Sequence, residues 1–351
     1  MPKLKSPFTL LPSAPPPGSS HYISNAVIIA KRVALGLEAP LRIKDLPWEP
    51  GNPFYDWYRW HSSALLVRIQ LRKEQKAPFF HEYIAFELDD KRYFRIDRRQ
   101  LPNEESPMDC TSEKGVEAYD TIEEITSLDD SMYNPSDCLV EVYFTTSPSP
   151  CLGLILDACS AISHDKRARV YTVQRYNCYF YAQTILLCIC TADNLRVYRT
   201  SLNLWDTWTE IRPDLQPYFP SVHVLVEKPK YSYQDGLPVH ADPPTRASYF
   251  SIRWPWRKTS RDENGGHRPR EMQEANLKEI KTYLLAMIRT HSLRAEQYKF
   301  ILGCSAEGVE RDITEKMNYI WDRHSARSGI GFGLNHFVSN AIENMNYLPG
   351  L

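Results

Sequence analysis

Residues 171–183 read YTVQRYNCYFYAQ, and the interpretation of the chain turns on them. Asn177 is a residue type that caps helices, because its side-chain oxygen accepts from the unsatisfied N–H groups of a first turn. The run that follows, CYFYAQTILLCIC over 178–190, is apolar on nearly every side, which predicts a helix buried all round. Cys178 then opens that helix. In the first turn, the helix dipole and the free N–H groups favour a thiolate, the nucleophilic form of cysteine. The same N–H groups are placed to receive an oxyanion.

A thiol nucleophile needs a base, usually histidine. Upstream, residues 62–71 (SSALLVRIQL) alternate as a strand with Leu65, Val67, Ile69 and Leu71 on one face. Residues 81–88 (HEYIAFEL) predict a second strand. Asp89, Asp90 and Lys91 form a turn, and 92–97 (RYFRID) return as a third strand, a β-hairpin. His81 opens the second strand. It is either the base, reaching a helix N-terminus packed on the sheet, or a half-buried histidine satisfied locally. Asp97 is either its orienting partner or a solvated strand-end charge. Side chains alternate along strands, so a two-residue turn points Asp97 away from His81 and a three-residue turn points it the same way. Gln174, four residues before Cys178, either assists an oxyanion hole or bonds a loop.

Further out, the pattern is α+β. Residues 1–20 are Pro/Ser-rich and expected to be disordered. Residues 21–37 have helical spacing, with Ile23, Val27, Ala30 and Val33 or Ala34 on one face and Gly36 at the end. Pro47, Pro50 and Pro53 are expected to break regular structure around an aromatic cluster that includes Trp48, Phe54, Trp57, Tyr58 and Trp60. Residues 100–135 are acidic and polar, which predicts a loop excursion. Residues 138–145 predict another strand, 151–162 a buried helix and 169–173 a short extended piece. From 201 to 268 prolines recur and periodicity fades, apart from a short strand candidate at 222–226, so this segment is expected to be a linker or wrap. Beyond 269 the chain is helical. Leu277, Ile280, Leu284, Met287 and Ile288 share one stripe; Val309, Ile313, Met317, Ile320 and Trp321 share another behind an N-cap at Ser305. The expected units are therefore residues 1–20, an α+β domain over 21–200, the Pro-rich 201–268, and a helical region over 269–351.

Composition narrows the function. Lys+Arg number 42 against 43 for Asp+Glu, a net charge of -1, which excludes a broadly basic nucleic-acid binder while leaving room for a local basic patch, and no nucleic-acid partner is expected. The short basic run Arg253, Arg257, Lys258 and Arg261 interleaves with Trp254 and Trp256 and reads as a surface loop pinned by two tryptophans rather than a strand-binding platform. No apolar stretch reaches the roughly 18 residues of a membrane span, so no stable membrane insertion is expected. The N-terminal apolar run is too short for a signal peptide, which predicts a cytoplasmic or nuclear protein. The eight cysteines include no CxxC pair and should be free thiols. Signatures for nucleotide, flavin and zinc sites are missing, so neither a cofactor nor a metal is expected.

The order of these parts resembles the permuted NlpC-type papain-like fold: His81 on a strand, a hairpin strand, a further strand, a helix, Tyr171, and Asn177-Cys178 at a helix start. The resemblance covers about residues 60–195. Two branches share it, the PPPDE (deSUMOylating isopeptidase-like) proteins and the lecithin:retinol acyltransferase-like proteins. It implies a small antiparallel sheet packed on helices and a cysteine hydrolase with a Cys178–His81 dyad acting on an amide or isopeptide of a protein or peptide substrate. The chain departs from the family in two places. Tyr179-Phe180 replace the acidic or polar residue after the cysteine, and the second-strand histidine of the acyltransferase branch has no counterpart in Tyr93–Asp97. The alternatives are a catalytically inactive protein-binding scaffold of the same fold and a thiol acyltransferase acting on lipid.

Overall fold

The computed structural model describes residues 26–43, 49–75, 80–101, 105–130, 133–144, 149–190, 195–199 and 273–328. The expected N-terminal disorder, the Pro-rich segment 201–268, the strand candidate at 222–226 and the basic run lie outside the described residues. In chain order the elements are α1 (Ala26–Ala34), β1 (Leu41–Arg42), α2 (Pro53–His61), β2 (Leu66–Glu74), β3 (Glu82–Leu88), β4 (Tyr93–Gln100), a 3-10 turn (Pro107–Thr111) and β5 (Val116–Ile125). They continue with β6 (Ser136–Phe144), α3 (Gly153–Ser163), β7 (Val170–Tyr171), α4 (Cys178–Ile189), β8 (Leu195–Arg199), β9 (Gln273–Ala275), α5 (Leu277–Glu296), α6 (Lys299–Leu302) and α7 (Ala306–Ser328).

The fold is α+β. The sheet runs β1-β5-β4-β3-β2-β6-β8-β9, with β7 paired to β5, and every described pairing is antiparallel. Helix α4 lies on β2, β3 and β4, with α3, α5 and α7 packed around it. All of its residues are buried, as its uniformly apolar sequence requires. Burying a side chain such as Phe180, Ile185 or Leu186 contributes about 1.5–3 kcal/mol each. No helix among the described residues is long and apolar enough to cross a membrane.

The helices beyond residue 276 share this core. Ile280, Leu284, Met287, Ile288, Val309, Ile313, Met317 and Ile320 join one apolar cluster with Ile84, Phe94 and Phe180. The boundary near residue 200 therefore does not divide the packing, and β9 extends the same sheet. Ser305 caps α7 by accepting from the Gly308 N–H at 3.2 Å. Leu277 departs from its expected stripe and is 36% exposed.

Four local expectations are corrected. Residues 100–135 are not one excursion, because β5 occupies 116–125; its buried Thr121 and Glu123 are paired inside the protein rather than solvated. Pro53 does not break structure but starts α2, where a missing N–H costs nothing, and Asn52 caps it through Phe54 N and Tyr55 N. In α1, Val33 is 73% exposed, while Arg32 is the buried residue, held by Glu123 at 3.2 Å. The side chains of Ile23 and Val27 lie outside the described residues. In β2, a register shift between Leu66 and Arg68 puts Leu66, rather than Val67, in the core with Ile69 and Leu71.

Candidate active site

The hairpin between β3 and β4 fixes which residues meet. Glu87 pairs with Tyr93 and the Leu88 N–H donates to Arg92 O at 3.0 Å, leaving Asp89, Asp90 and Lys91 as a three-residue turn. Lys91 takes positive φ (68°), the left-handed residue that such a turn uses. With this turn length Asp97 points to the same side as His81. Its Oδ2 lies 3.2 Å from His81 Nε2.

His81 itself sits at a bend. Phe80 is fully buried with φ 47°, a region that is costly for an aromatic residue and held only where the surroundings over-determine it. The His81 carbonyl accepts from Glu74 N at 2.8 Å, which ties the bend to the end of β2. The His81 ring neighbours the Cys178 side chain, close enough for the two groups to interact. Burial by itself pulls this imidazole down. The charge of Cys178 and the hydrogen bonds to Asp97 and Cys178 outweigh it, and the ring is pushed up to about 9. It is therefore an imidazolium at neutral pH.

Asp97 is anchored from the other side. Arg95 donates to Oδ2 from Nε (3.0 Å) and Nη2 (2.8 Å), Arg99 adds another bond, and Thr121 Oγ1 donates to Oδ1 at 3.0 Å. Burial alone would raise this carboxyl, but Arg99 and Arg95 hold it well below the usual carboxylate range. Arg95 also reaches Glu74 at 2.8 Å, and Asn134 donates to Glu74 at 2.7 Å. The carboxylate facing His81 is thus the end of a buried ionic network on that face of the sheet.

Cys178 is the first residue of α4 and is 3% exposed. Asn177 Oδ1 accepts from Tyr179 N (3.0 Å) and Phe180 N (3.2 Å), and its Nδ2 donates to Val173 O at 2.8 Å. The cap consumes two N–H groups of the first turn. It leaves the Cys178 N–H without an acceptor among the described residues. The amide of Gln174 takes the loop-binding role: Nε2 donates to Thr111 O (3.2 Å) and Ser112 O (3.3 Å), which engages both of its protons. That side chain is not a donor toward the thiol.

Further groups border Cys178 that the sequence reading did not single out. Lys73 pairs across the strands with Glu82 at 2.7 Å, and Gln183 of α4 donates to the same carboxylate at 2.8 Å. The Lys73 ammonium sits over the Tyr179 ring, 4.6 Å from its centroid. Burial lowers it to about 8 against the pull of Glu82. Tyr171, fully buried on β7, has its phenol pushed well above the usual range by burial and then by the charge of Cys178. His291 of α5 touches the cap itself. The alternation of the strands could not place Lys73 opposite Glu82 without the register. His291, however, continues the stripe Ile280, Leu284, Met287, Ile288 by helical spacing, and that signal was available.

The other cysteines offer no comparable setting. Burial pushes the Cys159 and Cys190 thiols up to about 12, and raises Cys138 and Cys188 as well. All eight cysteines are free thiols.

No family model matches the chain, and neither a curated protein nor a solved structure matches it.

Proposed function

We propose that the chain is a cysteine hydrolase of the permuted NlpC-type papain-like kind, acting on an amide or isopeptide bond of a protein or peptide. The observation that carries this reading is the line Asp97, His81, Cys178, with the thiol at the start of a buried helix. Cys178 sulfur attacks the carbonyl carbon, and the carbonyl π pair moves onto oxygen, where the Cys178 N–H receives it. As the tetrahedral intermediate collapses, the C–N bond breaks and the His81 imidazolium gives its proton to the leaving amine. His81, now neutral, takes a proton from water. The hydroxide adds to the thioester carbon, the C–S bond breaks, and the thiolate and imidazolium are restored. Asp97 keeps the ring oriented and stabilises its charged form, the role of a third member in such constellations.

One observation favours a second reading, a non-catalytic protein-binding scaffold of the same fold. Cys178 is almost wholly covered, so a substrate reaches it only where its surroundings open. A thiol-directed activity probe at neutral pH separates the two. The hydrolase reading expects the wild-type chain to label at Cys178 and Cys178→Ala to lose that label. Equal labelling of the two proteins overturns it in favour of the scaffold.

A further inference from the structure

His291 comes from a helix more than a hundred residues beyond the nucleophile, yet its ring meets the backbone that delivers Cys178. Nε2 lies 3.0 Å from Gln174 O and 3.2 Å from Asn177 Nδ2. A neutral imidazole nitrogen donates or accepts, not both. A carbonyl oxygen at 3.0 Å requires the proton on Nε2, and Nδ1, which has no partner among the described residues, then holds the lone pair. The ring faces the Tyr179 aromatic ring of α4 at 5.1 Å, and its other charged neighbours are Arg294 on its own helix and Lys73 of β2. Burial first, then Arg294, lowers it to about 3, so it stays neutral and keeps one proton to give.

The identity of the acceptor matters. Cys178 opens α4, so its N–H has no acceptor within the helix, and its direction is set by the backbone of residues 174–177 that leads into it. His291 holds the carbonyl at the start of that stretch. Beside it, Arg175 Nε bonds Asp312 Oδ2 of α7 at 2.7 Å, and Lys316 of α7 bonds Asp165 at 2.8 Å. The stretch before Cys178 is therefore tethered from both long C-terminal helices.

We propose that His291 is a positioning residue for Cys178: it holds the Gln174 carbonyl and touches the Asn177 cap, and so fixes the turn that aims the Cys178 N–H at the oxyanion. The proposal rests on the hydrolase reading. It gives the C-terminal helices a part in the chemistry that a plain Cys-His dyad on residues 60–195 does not need.

Two thiol reagents on the full chain test it. With p-nitrophenyl acetate, the Cys178 sulfur attacks the acetyl carbon, an oxyanion forms, and p-nitrophenolate leaves as the thioester forms. With iodoacetamide, the sulfur displaces iodide and no oxyanion develops. His291→Leu fills the space without an N–H donor, and His291→Gln puts an amide N–H near the place of Nε2. The leucine variant is expected to lose at least about tenfold in acylation while alkylation of Cys178, read by peptide mass, changes less than about threefold. The glutamine variant is expected to recover acylation to within about threefold of wild type. A folded leucine variant that acylates at the wild-type rate, or that loses both reactions equally, overturns the proposal. If the leucine variant does not fold, the glutamine variant decides alone, and a loss above about tenfold in its acylation overturns the proposal. A wild-type Cys178 that reacts no faster than Cys151 with either reagent overturns the hydrolase reading itself. A reactive wild type with an unaffected leucine variant overturns only the role of His291.

Discussion

His81→Gln is expected to slow acylation of Cys178 near neutral pH by about 10²–10⁴-fold, the range supplied by a positioned acid–base group. The glutamine retains a hydrogen-bonding side chain of similar length but carries no proton that can be given and taken back. The same variant carries a stability signature whose sign is fixed by the pair. In the native state the His81 ring is pushed up to about 9, against 6.5 ordinarily. Below about 6.5 both the folded and the unfolded chain hold the proton, and the contribution is complete. Between 6.5 and 9 the unfolded chain releases the proton while the folded chain keeps it, so the contribution shrinks as pH rises and is gone once pH passes through the folded value. Urea unfolding of wild type and variant between about pH 6 and about pH 9 should show their difference in stability falling with increasing pH. A difference that stays flat or grows would remove Cys178 and Asp97 as the groups that hold the imidazolium.

The second large effect is expected at Asp97. Asp97→Ala leaves Arg95 and Arg99, both about 4% exposed or less, without the carboxylate they share, and removes the acceptor for Thr121 and His81. Breaking a buried charge network by deleting one partner costs about 3–5 kcal/mol, because the remaining charge stays in a poorly solvating environment. Glu74 and Glu123 lie close enough to Arg95 to offset part of that loss. The measurement is the urea midpoint at constant slope. A destabilisation under about 1 kcal/mol would show that the network redistributes its charge freely and that Asp97 is not its keystone. Asp97→Asn separates geometry from charge: it keeps the shape of the contact with His81 but not the anion that favours the imidazolium.

The apolar half of this architecture was legible and the charged half was not. Strands β3, β4 and β6 and helices α3 and α4 follow from periodicity, since each presents apolar side chains to one core. β5 reads as a loop because its sequence, VEAYDTIEEI, alternates apolar residues with charges that look solvated. Two of those charges instead face the interior: Glu123 meets Arg32, Arg95 and the Tyr133 hydroxyl, and Asp120 meets Arg98. A pattern built on apolar-in and polar-out cannot find a strand whose inward residues are ions. The same limit hid the partners of Asp97. Cys178 and the Asn177 cap could be read from local chemistry, because a cap acts within three residues. The meeting of His81 with Asp97 hung on one residue of turn length, which only the register of Glu87 with Tyr93 decides.

The burial of α4 has a consequence for how the chain matures. A helix apolar on every face has no stable exposed state, and part of its cover is α5 and α7. During synthesis roughly a hundred residues must leave the ribosome after Cys178 before His291 does, a wait of roughly 5–20 s at ordinary elongation rates. Through that interval the helix that Cys178 opens is either unformed or sheltered by something other than its final neighbours. The nascent chain is thus most in need of a chaperone at this point, and a protein cut short before residue 273 would expose this helix as a sticky surface.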